Sequence, residues 1–293
     1  MRRAAVRLGV AVLLLLGGCG SPRSGSLGPA PTAAPVATPS PPTTVAPPPT
    51  SAPAGPPRPT GTSTPPAPTT PPTGTVTVEL WYTRDGRIVP TRRTRPTILT
   101  TSRLALAELA AGPTAVEAAA GLATLVPTGV EVTRIADGTA VLAAVPTTGG
   151  PAAVRLREAQ IVWTLTQFPT VRRVRFGSAA PVDRADYADL LPPIVVTSPG
   201  IGARVAGPVT VAGTADVFEA TVSVRVLDAA GREIATTFTT ATCGTGCRGD
   251  YRVLVDYGLD REQAGTVEVY EVSPVDGSRT NLVAVPVRLA ARP

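Results

Sequence analysis

Apolar and polar residues alternate from residue 75 to residue 83, and this pattern predicts a β-strand. Its apolar positions share one face: Val76, Val78 and Leu80. The turn Arg84-Asp85-Gly86-Arg87 ends the strand, and a second strand at residues 88–92 would complete a hairpin. We therefore expect a folded domain that begins with two antiparallel strands.

Two later segments place apolar residues at the three- and four-residue spacing of a helix. The first is capped by Ser102 and stopped by Gly112-Pro113. Its apolar positions are Leu104, Leu106, Leu109 and Ala110. The second begins at Pro151 and ends at Pro169, with the apolar positions Ile161, Val162 and Leu165.

Short strands flank the second predicted helix. Residues 131–136 and 139–145 form a pair joined by the turn Asp137-Gly138, and residues 171–176 form the last strand. We expect its buried residues to be Val171, Val174 and Phe176. Over residues 75–191 the order is ββαββαβ, which predicts an α+β domain with a small mixed sheet and two helices on one face.

Residues 192–293 show no helical pattern. About seven short strands are predicted there, at residues 194–198, 208–214, 220–227, 233–240, 251–257, 266–273 and 282–289. In the third of these, three valines alternate with Ser223 and Arg225, so we expect the valines inside and the polar residues outside. This is the pattern of an immunoglobulin-like β-sandwich.

Residues 1–18 have the order of an export signal. Three arginines precede the apolar run at residues 8–16, which is too short to span a bilayer. Leu16-Gly17-Gly18-Cys19 resembles the bacterial lipobox, which implies that Cys19 is lipidated and becomes the N-terminus. We expect an extracytoplasmic protein, lipid-anchored to the outer face of the cytoplasmic membrane. An uncleaved anchor, or a secreted protein with a chance cysteine, is the alternative.

Residues 19–74 consist almost entirely of Pro, Thr, Ala, Ser and Gly. Such a segment lacks the large apolar residues that a core requires, so we expect a disordered linker that acts as a stalk. Two interpretations stay open: a spacer through a thick wall, with Thr and Ser available for glycosylation, and an inert linker.

The basic charge of the chain does not extend to its folded part. The net charge is +6, but five of the 27 arginines lie before residue 75, so 22 remain against all 21 acidic residues. The sequence contains neither His nor Lys. Catalytic triads, lysine Schiff bases and His-ligated metals are thereby excluded. We predict no catalytic residue, no metal site, no cofactor and no nucleic-acid partner.

Cys243 and Cys247 enclose Gly-Thr-Gly between two predicted strands. In an oxidising compartment this pair predicts a local disulfide. Because the closed loop is short, we expect it to contribute no more than about 2 kcal/mol of stability. A redox-active pair is the alternative, whereas a metal site would need more ligands than two thiols.

Three acidic residues recur at every third position after Pro181: Asp183, Asp186 and Asp189. This spacing would place them near one face of a short helix. There they would either bind calcium or complement a helix N-terminus at the junction of the two domains, and we favour the second.

Two candidate binding surfaces follow from the remaining residues. A basic surface is formed by Arg92, Arg93 and Arg95, with Arg172, Arg173 and Arg175 as candidate neighbours. It would contact anionic wall polymers or lipids, or be a solvated basic face. Phe218 and Glu219 either line a binding surface or are a core Phe beside a strand-edge residue.

Three stretches of the first domain resemble the GerMN domain of sporulation and germination lipoproteins. They are VELWY at residues 78–82, AELAAGP at residues 107–113 and TLTQFPTVRRVRF at residues 164–176. The match covers nearly all of residues 75–191. GerMN domains are related to ring-building modules of envelope complexes, so the resemblance implies interaction or assembly, and it supplies no catalytic residues.

The second domain resembles the immunoglobulin-like domain that often follows GerMN in bacterial lipoproteins. The matching stretches are VVTSP at residues 195–199, PVTVAGTA at residues 208–215, VFEAT at residues 217–221 and YEVS-DGS within residues 270–278. The segment lacks the Cys and Trp framework of antibody domains.

The leading hypothesis is a non-enzymatic envelope lipoprotein that docks onto a protein partner, with self-association as a further option. Its link to sporulation or germination follows from the resemblance alone. The alternative is a module that binds wall glycan or teichoic acid. A hydrolase with paired carboxylates is a third option, but no Asp or Glu pair is marked out by its surroundings.

Overall fold

The structure is a computed structural model that describes residues 74–97, 100–143 and 145–292. The predicted signal, Cys19 and the linker up to residue 73 lie outside the described residues. The two folded domains belong to one compact unit. None of the described helices is long and apolar enough to cross a membrane.

The first domain begins with the hairpin of β1 (Thr75–Arg84) and β2 (Arg87–Pro96). Two helices follow, α1 (Thr101–Ala111) and α2 (Ala115–Ala119). The remaining elements are β3 (Val132–Ala136), β4 (Thr139–Leu142), α3 (Gly150–Leu165) and β5 (Arg173–Phe176). The α+β class and the order of the predicted elements are thus confirmed.

Three details differ from the prediction. The hairpin β1–β2 is a sheet of its own, and β3, β4 and β5 form a second, mixed sheet in which β4 and β5 are parallel. Helix α1 is preceded by Thr100, so Ser102 lies inside the helix and does not cap it. The short helix α2 was not predicted, although Thr114 and Glu117 form a capping box at its start.

Helix α3 and the residues just after it cover the edge of β1 with three polar side chains. Gln167 accepts from the Glu79 N–H at 2.8 Å and donates to the Glu79 carbonyl at 2.7 Å. Thr164 accepts from the Trp81 N–H, and Gln160 donates to the Trp81 carbonyl. The outward backbone groups of Glu79 and Trp81 are therefore satisfied by side chains of α3 and of Gln167, which follows it.

The second domain is a β-sandwich, so the immunoglobulin-like class is confirmed. Its strands are β6 (Ile194–Ser198), β7 (Arg204–Val205), β8 (Val209–Ala215), β9 (Thr221–Leu227), β10 (Glu233–Thr240), β11 (Gly249–Val255), β12 (Gln263–Val272) and β13 (Arg279–Leu289). One sheet has the order β10-β9-β12-β13-β7 and the other β11-β8-β6.

The core of the sandwich lies between these two sheets. Val222, Val224 and Val226 of β9 are fully buried there, as their alternation predicts. The two-residue strand β7 was not predicted. Ala220, predicted as the first residue of the third strand, instead ends a 3₁₀ turn at Phe218–Ala220.

Two arginines hold the segment that joins the domains. Arg87, in the β1–β2 hairpin, donates to the carbonyls of Asp189 and Leu191 at 3.1 and 2.8 Å. Arg248, in the sandwich, donates to the carbonyls of Pro192 and Pro193 at 2.7 and 3.3 Å. We call this arrangement the linker clamp. It fixes the chain on both sides of the domain junction.

Candidate interaction surfaces

Arg93 of the predicted basic surface is buried. The hairpin register pairs it with Val78, whose face of the hairpin is buried in the core. Its guanidinium donates to the carboxylates of Glu117 at 2.6 Å and Glu108 at 3.1 Å. Both glutamates come from the segment of α1 and α2, so Arg93 ties that segment to the hairpin.

The two neighbouring arginines are also paired. Arg95 contacts Glu108 at 2.7 Å, and the more exposed Arg92 contacts Glu79 at 3.4 Å. The structure therefore does not bring Arg92, Arg93 and Arg95 together on one exposed surface. Two of the three charges are held in a network of carboxylates that the sequence order does not reveal.

The network changes how its glutamates titrate. Hydrogen bonds from Arg95, assisted by Arg93, lower the pKa of Glu108 below its ordinary value. Burial alone would raise the pKa of Glu117, but hydrogen bonds from the Thr114 N–H, Arg93 and Thr91 together lower it. Both carboxylates are thus held in their charged form.

A second group of arginines does form an exposed basic face. Arg134 and Arg175 lie in register across β4 on the outer face of the three-stranded sheet, and Arg173 lies on the same face. Arg173 is 3.9 Å from Asp183 and is largely exposed. Arg172 lies beside them, near the β3–β4 turn. We call these residues the β3–β5 basic face.

The acidic triplet does not converge on one point. Asp183 caps the 3₁₀ helix Arg184–Leu190, and Asp186 completes a capping box with it. Asp189 instead forms a bidentate ion pair with Arg155, with distances of 2.6 and 2.7 Å. The arrangement agrees with helix capping at the junction. Among the described residues, no group of three or more His, Cys, Asp or Glu side chains is placed to hold a metal ion.

Phe218 lies on the surface at one end of the sandwich, where its side chain is 46% exposed. It is therefore not a core residue. Its backbone N–H donates to Glu271 at 2.8 Å, and Glu271 also accepts from Asn281 at 2.6 Å. Glu219 follows with a positive φ of 52°. The start of the turn is thus anchored to Glu271 at the end of β12, and Asn281 of β13 holds that carboxylate.

The loop closed by Cys243 and Cys247, called the cystine loop, also contacts this turn. Cys243 and Cys247 are joined by a disulfide, with their Cα atoms 5.7 Å apart. Thr245, between them, accepts from the Glu219 N–H at 3.2 Å. A Cβ at Gly244 would lie only 2.5 Å from the backbone of Ala220, so this contact requires glycine. The predicted disulfide and the predicted Phe218-Glu219 surface therefore form one structure.

Further exposed apolar residues lie at the ends of β12 and β13 and in the turn between them. They are Val272, Val275 and Leu282, of which Val275 is 92% exposed at the tip of the β12–β13 hairpin. The same segments contain four acidic residues: Asp216, Glu219, Glu271 and Asp276. We call the Phe218 turn, the cystine loop and this hairpin tip the loop end.

Comparison with known proteins identifies both domains. Residues 71–178 match a family model described as sporulation and spore germination. Residues 193–278 match one described as the immunoglobulin-like domain of bacterial spore germination. The two resemblances stated from the sequence are thereby confirmed. No curated protein matches the chain significantly.

Two solved structures show weak similarity. The tandem GerMN domains of the sporulation protein GerM from Bacillus subtilis are 16% identical, with a TM-score of 0.33, and the match covers 74% of this chain and 61% of that one. CopC from Methylosinus trichosporium OB3b is 14% identical, with a TM-score of 0.23, over 34% of this chain and 96% of that one. This chain thus matches about three fifths of the length of the GerM structure.

Proposed function

We propose that this chain is a non-enzymatic docking lipoprotein of the cell envelope. The proposal proceeds from the match of residues 71–178 and 193–278 to two domain families of bacterial sporulation and spore germination. Cys19 would carry the lipid and residues 19–74 the stalk, so that both domains work outside the cytoplasmic membrane. Neither family description names an enzymatic activity.

The loop end is the docking surface in this proposal. Three connected segments hold its aromatic and aliphatic side chains in solvent, and the hydrogen bonds of Glu271 and Thr245 restrict their motion before binding. A surface ordered in advance loses less entropy when a partner binds. Its acidic residues favour a protein that presents apolar side chains among arginines or lysines.

Photo-crosslinking in cells tests this proposal. A photoreactive amino acid at Val275 should yield a specific protein adduct, and Phe218→Ala should reduce its yield at least tenfold, the effect expected of a hot-spot aromatic. The same amino acid at Leu254, which is 61% exposed on a different strand, is the matched control. Cys19→Ser should abolish the adduct by releasing the protein from the membrane. Equal adducts from Val275 and Leu254 would refute the assignment.

Wall-polymer binding remains a second candidate because of the β3–β5 basic face. This face, unlike the β2 arginines, is exposed and has one carboxylate contact among its salt bridges, that of Arg173 with Asp183. Arg134→Ala with Arg173→Ala should reduce co-sedimentation of the full chain with purified cell walls, more so at low salt. Arg92→Ala should have no effect. Unchanged co-sedimentation of the double variant would remove this candidate.

A further inference from the structure

A groove runs beside helix α3 in the first domain. Two cavities of about 510 and 320 Å³ lie there, and both open to the surface. The side chains of Thr147, Val154 and Glu158 border both cavities, so the two form one groove, which we call the α3 groove. A cleft of this size that combines apolar walls with a few polar groups is the usual kind of ligand-binding site.

The walls of the α3 groove are largely apolar. Val154 lines it from the helix, and Val182 and Phe176 line it from the segment that follows. All three side chains are half-buried, so each keeps some apolar surface in contact with water. A ligand with a hydrocarbon portion would cover that surface.

Glu158 is the acidic group of the α3 groove. It is half-buried, and its Oε2 accepts from the Tyr187 hydroxyl at 3.0 Å. Burial and the nearby Glu158 carboxylate raise the pKa of Tyr187 above its ordinary value of 10.0, so the hydroxyl stays protonated and continues to donate. Among the described residues, Oε1 of Glu158 has no hydrogen-bond partner, and no arginine forms an ion pair with this carboxylate.

The two arginines that border the groove have other partners. Arg155 forms its bidentate ion pair with Asp189. Arg157 donates to the carbonyls of Pro146 and Thr148 and so holds the loop that forms one wall of the groove. A half-buried charge usually has a partner of opposite charge. The unpaired carboxylate therefore indicates that the groove takes up a cation from outside.

We propose that the α3 groove binds the lysine side chain of a partner protein. The ammonium donates to Oε1 of Glu158, and the aliphatic stem lies along Val154 and Val182. Because both cavities open to the surface, the backbone that carries this lysine stays outside the groove. The site lies in the first domain and neither needs nor excludes a partner at the loop end.

The surroundings of Glu158 select an ammonium over a guanidinium. An arginine binds a carboxylate best through both oxygens at once, and Tyr187 already holds one of them. An ammonium is a compact point charge that a single oxygen can accept. A second copy of this chain cannot supply the lysine, because the sequence contains none.

Methyl NMR of the full-length, valine-labelled protein in detergent micelles tests the proposal. The probe is the peptide Gly-Gly-Lys-Gly-Gly with both ends blocked. It should shift the methyl signals of Val154 and Val182 with a dissociation constant of about 1–10 mM, the range expected of so small a ligand. The same peptide with norleucine in place of lysine keeps the stem without the charge, so it should bind at least tenfold more weakly. The methyl signals of Val275 report separately on the loop end.

Glu158→Gln isolates the charge of the site. The glutamine carbonyl can still accept from Tyr187, so the groove should keep its shape while the affinity for the lysine peptide falls at least tenfold. Glu131→Gln, at an exposed glutamate outside the groove, should leave the affinity unchanged. Circular dichroism would confirm that both variants fold. If Glu158→Gln does not fold, the comparison of the lysine and norleucine peptides on the wild type decides the case.

Several results would overturn the proposal. One is the absence of a shift at Val154 and Val182 up to about 50 mM lysine peptide. Others are equal binding of the norleucine peptide and tighter binding of the corresponding arginine peptide. Binding of n-butylammonium without binding of the lysine peptide would assign the groove to a small amine and exclude the protein partner. Loss of the crosslink at Val275 bears only on the docking proposal.

Discussion

At the scale of single residues, neighbours in sequence have opposite roles. Arg92 and Arg93 are adjacent, yet one is exposed and the other is buried between two carboxylates. Strand alternation predicts that they face opposite sides of the hairpin. It does not predict that Glu108 and Glu117 would cover one of those sides, because these partners lie 15 and 24 residues further along the chain.

The two arginines should differ sharply when each is replaced by alanine. Arg93→Ala leaves the buried Glu117 without its charged partner and should lower the free energy of unfolding by about 3–5 kcal/mol. Arg92→Ala removes an exposed pair and should cost less than about 1 kcal/mol. Urea denaturation of the two variants measures the difference. Equal losses would show that the Arg93 network does not carry this stability.

The same network should make stability depend on pH in the acid range. The pKa values of Glu108 and Glu117 are lowered by folding from an ordinary value of 4.5. Their contribution is therefore complete above pH 4.5 and is lost as the pH falls through the lower folded values. We expect the wild type to lose stability on acidification below pH 4.5.

Glu108→Gln isolates this effect. The variant should be less stable at pH 7 and should show a flatter loss on acidification, measured by urea denaturation at each pH. Glu131→Gln, an exposed position, should retain the slope of the wild type. A slope unaffected by Glu108→Gln would contradict the assignment.

At the scale of elements, two of the recognised motifs touch each other. The stretch at residues 78–82 supplies the backbone groups of Glu79 and Trp81, and the stretch at residues 164–176 supplies Thr164 and Gln167, which bond to them. Periodicity predicted both elements correctly. The hydrogen bonds between the two stretches could not be predicted. A Thr or Gln in or just after a helix does not indicate that its partner is the backbone of a distant strand.

Gln167→Ala should destabilise the first domain by about 1–3 kcal/mol, since it leaves the Glu79 N–H and carbonyl buried without partners. Amide hydrogen exchange at Glu79 should accelerate more than exchange elsewhere in β1. Gln263→Ala is the matched control, because the Gln263 side chain forms no hydrogen bond among the described residues. An unchanged exchange rate at Glu79 would contradict this account.

At the scale of the whole molecule, the sandwich was the most predictable part. Two-residue alternation identifies each long strand, and four of the predicted strands end within one residue of the observed ones at both ends. The loop end was only partly predictable. Phe218 and the cysteines could be singled out, but their meeting depends on Gly244 and Thr245, whose roles follow from three-dimensional contacts.

The junction between the domains gives a test at this scale. Arg248→Ala removes the contacts to Pro192 and Pro193 and should broaden the distribution of distances between the domains. Spin labels on unnatural amino acids at Ile135 and Leu254 measure that distribution by electron double resonance. Arg252→Ala, at an exposed arginine of β11, should leave it unchanged. A narrow distribution in both variants would show that Arg248 does not fix the junction.

The linker clamp also determines how the molecule responds to its surroundings. Its acceptors are amide carbonyls, which neither titrate nor lose their attraction when dissolved ions screen carboxylates. A low pH or a high salt concentration that weakens the Arg93 network would leave the hydrogen bonds of Arg87 and Arg248 intact. The orientation of the sandwich relative to the first domain should therefore stay the same when the pH or the salt concentration changes.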